Sequence, residues 1–505
     1  MNHLYDLIAG RITDPAKRLI DADDGRSFSC ADLIVLTGRM AGALQAMGIG
    51  AGDRVLVQAE KSPEVIFLYL ACLRAGAVFL PLNPAYTPVE LAHFVADARP
   101  ALMICGEAQG VAMRALAQAL GGRVETLGTG GEGSFMAAVW QAASAFANVP
   151  RGPDDLAAIL YTSGTTGRSK GAMMSHGNLA SNALALCDLW RFTRDDVLIH
   201  ALPVFHTHGL FVATNVVLLS GATMLFHARF DPAGVLAAMA RATVLMGVPT
   251  FYTRLVDHPG LTREAALPMR LFISGSAPLL AATHAAFRQK TGHAILERYG
   301  MTETNMITSN PCAGDRVAGT VGLPLPGVSL RIADPDSGAP LPPGATGVIE
   351  ITGPNVFKGY WNMPEKTAAE FRPDGWFITG DLARIDSRGY VEIVGRAKDL
   401  IITGGLNVYP KEIEAAIDAL PGILESAVFG VPHPDFGEAV IAVAVLDAAA
   451  GLTGDERAMI ASLARQLAKF KLPKRIVFVA QLPRNAMGKV QKNALRQSCK
   501  DLHVA

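Results

Sequence analysis

Cysteine is scarce and scattered in this chain. Among 505 residues there are 6, Cys30, Cys72, Cys105, Cys187, Cys312 and Cys499, and no two stand in a Cys-x-x-Cys pair. Zinc sites and disulfide frameworks need clustered cysteines, so neither is expected, and the pattern fits a reducing cytoplasm. Charge of one sign is also lacking: Lys+Arg and Asp+Glu are 45 each. The chain therefore shows no electrostatic footprint for nucleic acid or for an anionic membrane surface. No basic-then-apolar signal pattern follows Met1. No run reaches the roughly 18 apolar residues of a membrane span. The apolar stretch near 212–219 is broken by Thr214 and Asn215 and reads as core. A cytoplasmic protein with small-molecule partners, and neither nucleic-acid nor membrane partners, is the expectation.

What the chain has in quantity is apolar residues, at 50%, with 50 Gly and 30 Pro. That suits a large globular protein of two or more domains with many turns. Up to about residue 155, helical and strand-like segments alternate, as in 53–57, 64–75 and 77–82, with a glycine-rich connection at 128–133. From about 156 to 320 the rhythm repeats, with strands expected at 242–248, 269–274 and 295–299. Both stretches predict α/β subdomains built on parallel sheets, with ligands expected beyond the carboxyl ends of the strands. From 321 to 396 frequent turn dipeptides separate short alternating strands, which predicts a small antiparallel barrel. Residues 397–505 read as a compact α+β unit, with a helix over 410–420 and a strand over 439–446.

The first strong motif is Tyr161-Thr-Ser-Gly-Thr-Thr-Gly-Arg-Ser-Lys-Gly171, which follows an apolar strand. Gly164 and Gly167 allow successive N–H groups to line one concavity. Thr162, Ser163, Thr165, Thr166 and Ser169 add hydroxyls, and Lys170 adds a positive charge. This is a phosphate-binding loop. It does not end Gly-Lys-Ser/Thr, so a kinase or GTPase reading is weakened. Further along stand Gly275-Ser276-Ala277, Glu297-Arg298-Tyr299-Gly300-Met301-Thr302-Glu303, Gly380-Asp381, Arg396, Lys398, Gly404-Gly405-Leu406 and Pro483-Arg-Asn-Ala-Met-Gly-Lys489.

Taken in order, these motifs resemble the acyl-adenylate-forming enzymes: acyl-CoA synthetases, peptide-synthetase adenylation domains and firefly luciferase. The resemblance covers nearly the whole chain. It implies a large N-terminal domain over 1–396 and a mobile C-terminal lid over 397–505, hinged at Lys398. Binding of ATP and Mg²⁺, with coenzyme A as co-substrate, follows from it. Thr162 to Gly167 and Lys170 would bind the phosphates. Glu303, with Thr165, would hold the metal beside Thr302. Gly275, Ser276, Ala277, Glu297, Arg298, Tyr299, Gly300 and Met301 would line the nucleotide site. Tyr299 would either stack on the base or serve the core. Asp381 and Arg396 would take the ribose or phosphates, and Lys489 would act in adenylation. Gly404, Gly405 and Leu406 would meet the CoA arm in the second half-reaction.

Many relatives carry Gly, Ala or Ser where this chain has Arg298. An arginine at the floor of the acid site demands an anion. A second carboxylate on the substrate supplies one, with His206 and Ser276 assisting. Within the family this pattern resembles the malonyl-CoA synthetases. Malonate is the expected acid, with methylmalonate or another short-chain or aryl acid as the alternative. The opposing possibility is that Arg298 pairs internally with Glu297, Asp381 or another acid. A lysine acetyltransferase and deacetylase acting on Lys489 are possible partners, because acetylation would remove its charge.

Overall fold

The computed structural model describes residues 1–162, 169–403, 406–433, 436–447, 454–485, 488–500 and 502. These fall into two compact units. One comprises Met1–Ser329 with Thr352–Phe377, the other Leu330–Ile351 with Ile378–Ala505. The sequence reading placed the stretch after 320 with the first domain as far as 396; by internal packing, 321–329 and 352–377 group with the first unit and 330–351 and 378–396 with the second.

The first unit is α/β. Its helices begin and end where local chemistry dictates. Ser29 and Asp32 form a capping box ahead of Cys30–Ala46, and Pro63 opens Pro63–Ala75. Gly76 ends the latter at φ 72°, a left-handed angle that glycine adopts without strain. Every residue of Pro63–Ala75 is buried, so this helix is core all round rather than amphipathic.

Among the described residues, this unit holds one sheet of six strands and one of nine. In the six-stranded sheet, Arg54–Gln58 lies between Val78–Pro81 and Leu102–Cys105, all parallel. Leu156–Thr162 then joins Val78–Pro81 in parallel and turns back antiparallel through Lys170–Ser175. The nine-stranded sheet has a parallel centre. Its order there is Leu296–Met301, Leu271–Ser274, Val244–Gly247, Val197–His200, Thr223–Phe226 and Arg18–Ala22. The two sheets exchange strands across residue 155: Leu156–Ser175 serves the sheet of the early strands, and Arg18–Ser29 serves the sheet of the later ones. Alternation alone does not say which sheet a strand joins. Most of the parallel strands have apolar, buried centres, as continuous hydrophobic runs in parallel sheets require; Leu296–Met301 departs from this by burying Glu297 and Arg298.

In the second unit a four-stranded sheet, ending in the antiparallel pair Phe377–Ile385 and Val391–Arg396, stands where a small barrel-like element was expected. A five-stranded sheet follows, centred on Gly437–Leu446 and packed against Pro410–Asp418. Among the described residues no helix is long and apolar enough to cross a membrane.

Candidate active site

The phosphate-loop motif is framed by a hairpin. Tyr161 pairs with Gly171 and Thr162 with Lys170, so both ends of the loop meet. Ser163, Gly164, Thr165, Thr166 and Gly167 lie outside the described residues. The segment around Tyr360 adds to the hairpin's edge through Trp361 N–H to the Gly171 carbonyl (2.7 Å) and Lys358 N–H to the Met173 carbonyl (2.8 Å). Tyr360 thereby lies beneath Lys170, whose ammonium stands 4.1 Å from the ring centroid. The same Nζ is 3.5 Å from Glu370 Oε1.

The Tyr360 hydroxyl in turn donates to Glu303 Oε1 at 2.9 Å. Two motifs far apart in sequence, Lys170 and Glu303, are thus joined through one tyrosine that the sequence analysis did not single out. A tyrosine at 360 carries no local signal, because its role exists only once the edge pairing is formed. On the hairpin's other flank, the Tyr161 hydroxyl donates to Asp97 at 2.5 Å.

Glu303 is presented by a second hairpin, Leu296–Met301 with Asn305–Ser309. At its tip the strands nearly touch. A Cβ on Gly300 would stand 2.0 Å from the Asn305 carbonyl oxygen, so only glycine fits. The Met301-Thr302-Glu303 bend follows from that crossing. The Glu303 carboxylate is buried but not caged. Among the described residues no group of three or more His, Cys, Asp or Glu side chains converges on a metal position. Magnesium held largely by triphosphate oxygens needs only one or two protein carboxylates, and Glu303 fits that demand. Glu297, placed in the nucleotide wall by resemblance, has its carboxylate at 3.2 Å from the Gly319 N–H. Tyr299 and Met301 are half-buried on the same strand.

The residues expected at the acid site come from strands of the nine-stranded sheet or from the segments that follow them. Gly275, Ser276 and Ala277 follow Leu271–Ser274, Arg298 lies on Leu296–Met301, and His206 and His208 follow Val197–His200. Gly275 has no side chain because the Arg298 guanidinium occupies that space: a Cβ would stand 2.5 Å from Arg298 Cζ.

Arg298 is 3% exposed. Its Nε and Nη2 have no hydrogen-bond partner among the described residues. Burial with no acid beside it pulls the guanidinium down to about 9. It remains charged at neutral pH at a considerable desolvation cost. Of its expected companions, Ser276 adopts left-handed backbone at φ 74°, and its hydroxyl is 3.3 Å from Nδ1 of His208. His206 turns its ring back on its own chain, Nδ1 accepting from the His208 N–H at 3.3 Å. The histidine that meets Ser276 is therefore His208, which the sequence analysis passed over although it lies in the same His-Thr-His stretch.

In the second unit, Asp381 and Arg396 face each other in register across an antiparallel pair and bond at 2.6 Å. The Asp381 N–H also donates to Thr379 Oγ1 at 3.1 Å. Lys398 lies exposed on the short turn Ala397–Asp399, with its ammonium lowered chiefly by desolvation. Leu406 is exposed at the start of Leu406–Val408; Gly404 and Gly405 lie outside the described residues. Lys489 is exposed. Its N–H donates to Asn485 Oδ1 at 3.0 Å. Arg484 steadies the turn, donating to the Gly488 carbonyl and pairing with Glu425.

The sequence profile described as AMP-binding enzyme matches residues 12–361, and that of the AMP-binding enzyme C-terminal domain matches 412–489. The chain belongs to the AMP-binding enzyme family. Among solved structures it is similar to ATP-bound MatB from Rhodopseudomonas palustris, at 60% identity and TM-score 0.97 over 99% of each chain. Among curated proteins it is similar to a feruloyl-CoA synthase from Amycolatopsis sp (36% identical, 94% of each chain). It also matches a malonate–CoA ligase from Arabidopsis thaliana (34% identical, 98% of this chain and 90% of that one). The relatives named here cover most of their own lengths, so the match is one of whole proteins.

Proposed function

We propose that this protein is an AMP-forming acid–CoA ligase whose acid is malonate. The observation that carries the choice of acid is the Arg298 guanidinium: buried, charged and without a hydrogen-bond partner at Nε or Nη2 among the described residues. A dicarboxylate answers that need. A bidentate arginine–carboxylate pair supplies both charge and geometry, and an uncharged acyl tail would leave the guanidinium stranded. The malonate–CoA ligase relative supports the same reading.

In this reading one malonate carboxylate rests on Arg298, and the other attacks the α-phosphorus of ATP. A P–O bond forms to give malonyl-AMP, and pyrophosphate leaves with the electron pair of the broken bond. Negative charge builds on the phosphate oxygens during that step, and Lys170 and Lys489 are assigned to offset it. Magnesium, when bound, neutralises phosphate charge, and the Glu303 carboxylate oriented by Tyr360 would hold it. Asp381 and Arg396 are assigned to the ribose and phosphates. In the second half-reaction the CoA thiol attacks the malonyl carbonyl and AMP departs. Leu406 and its neighbouring glycines are assigned to that step, with Lys398 as the hinge between the two conformations.

The test is product release with ATP, Mg²⁺ and CoA across malonate, methylmalonate, isovalerate, butyrate and benzoate. AMP with pyrophosphate is the expected product. Malonate should lead the uncharged acids by about a hundredfold or more, the scale of a buried charge pair. A benzoate or butyrate lead would refute the malonate assignment, and ADP as product would refute the ligase.

A further inference from the structure

Two unpartnered buried groups flank a single bend of the chain. Gly275 has the Arg298 guanidinium lying against its backbone, and the next residue, Ser276, touches His208. His208 is 1% exposed, and its Nε2, like Nε and Nη2 of Arg298, has no hydrogen-bond partner among the described residues. Buried polar atoms are rarely left so. Two of them lying against adjacent residues of one bend, Gly275 and Ser276, call for a common ligand.

The backbone holds His208 in this position. It begins the π-helical stretch His208–Thr214, a form that recurs at functional sites because it re-aims a side chain. Ser276 keeps a left-handed backbone that serine adopts only at a cost, and that posture turns its hydroxyl to Nδ1. Burial and then the Arg298 charge hold the imidazole neutral. A neutral ring that accepts the serine hydroxyl at Nδ1 carries its proton on Nε2.

We propose that His208 is a specificity-determining residue of the acid site, its Nε2–H donating to the substrate carboxylate that Arg298 also holds. Ser276 is then a positioning residue. It fixes the tautomer of His208 and does not itself bind the acid. This rests on the malonate reading above and goes beyond it, because it transfers the assisting role from His206 to His208.

The experiment titrates malonate and, separately, ATP into the full-length enzyme by calorimetry and follows KM and kcat for malonate. The variants are His208→Gln, which keeps an amide donor near Nε2, and His208→Asn, whose shorter amide reaches only the Nδ1 position. Arg298→Ala is run in parallel. Loss of one hydrogen bond to a charged group corresponds to a change of roughly tenfold to a hundredfold. His208→Asn is therefore expected to weaken malonate by that factor, mainly in KM, with ATP affinity retained and His208→Gln substantially restored. If Asn and Gln both bind malonate like the parent, or if both lose malonate and ATP together, the assignment of His208 is overturned. Loss confined to Arg298→Ala overturns this inference alone. Wild-type enzyme that fails to bind malonate, or Arg298→Ala that binds it normally, overturns the malonate reading beneath it.

Discussion

Two arginines on β-strands illustrate opposite ways of handling a charge inside a protein. Arg396 sits across a strand pair from Asp381 and bonds it at 2.6 Å, with about a third of its side chain exposed. Arg298 is far more buried, with a neutral tyrosine and a neutral histidine for neighbours. The first is satisfied by the fold. The second meets no acid among the described residues, and in the proposed reading the substrate's anion answers it. Binding specificity of this kind is stored as a cost in the empty state, since an unpaired buried polar group rejects ligands that cannot answer it. A third case lies in the second unit. Asp418 has Oδ1 buried without a partner, and burial raises its carboxyl to about 7, with Glu414 and Glu425 adding to the rise. There hydrogen bonds from Ser426 oppose the rise without cancelling it.

The sharpest way to break this comparison is Arg298→Met. Malonate turnover should fall by about a thousandfold, since removing one partner of a desolvated charge pair costs about 2–5 kcal/mol. Yet the ligand-free protein should become more stable by about 1–4 kcal/mol, because apolar packing replaces an unpaired charge. Turnover and denaturant midpoint measured on the same sample decide it. A variant that loses both activity and stability would show that Arg298 supports the fold.

Lys489 is the exposed counterpart. Lys489→Ala should slow adenylation by about 10²- to 10³-fold, the loss expected for one preorganised charge. It should leave stability unchanged and transfer from supplied malonyl-AMP to CoA largely intact. Equal loss in both half-reactions would contradict the two-conformation assignment.

The pH dependence separates the buried arginine from the rest. The free site holds its proton below about 9, and an anion binds best to the protonated form. Malonate affinity should therefore be flat through neutral pH and fall by about tenfold per unit once pH passes that value. Calorimetric titration of malonate against ATP as control checks it; a flat malonate profile past that point would show that the guanidinium keeps its proton there.

The smallest effect belongs to Asp418→Asn. A carboxyl raised from 3.8 to about 7 binds more protons folded than unfolded, so it lowers stability as pH rises between those values. The asparagine variant should be stabilised more above that window than below it. Denaturant melts at both ends of the window test this, and equal shifts would mean that the buried carboxylate is not the cause.

Much of the site is legible in the order of residues alone. Glycine, hydroxyl and lysine spacing around Gly164 and Lys170 suffices to propose a phosphate cradle, because such a cradle is built from consecutive residues. The same holds for Pro410 at a helix start and for Gly300 before Met301-Thr302-Glu303. Partners brought from distant parts of the chain are not legible in that way. Tyr360 acquires its role between Lys170 and Glu303 only through edge pairing at Gly171. His206 and His208 differ by two positions, and a π-helical turn decides which of them meets Ser276.

By itself the sequence determined the family, the order of the chemical motifs and the demand for an anion implied by Arg298. These reside in residue types and short spacings, which local backbone physics translates directly. Only the tertiary structure decided that no buried acid meets Arg298 among the described residues, that Asp381 does meet Arg396, and that strands on either side of residue 155 change sheets. Each of those outcomes depends on which distant side chain or strand fills a given space. Close packing settles that for the whole chain at once.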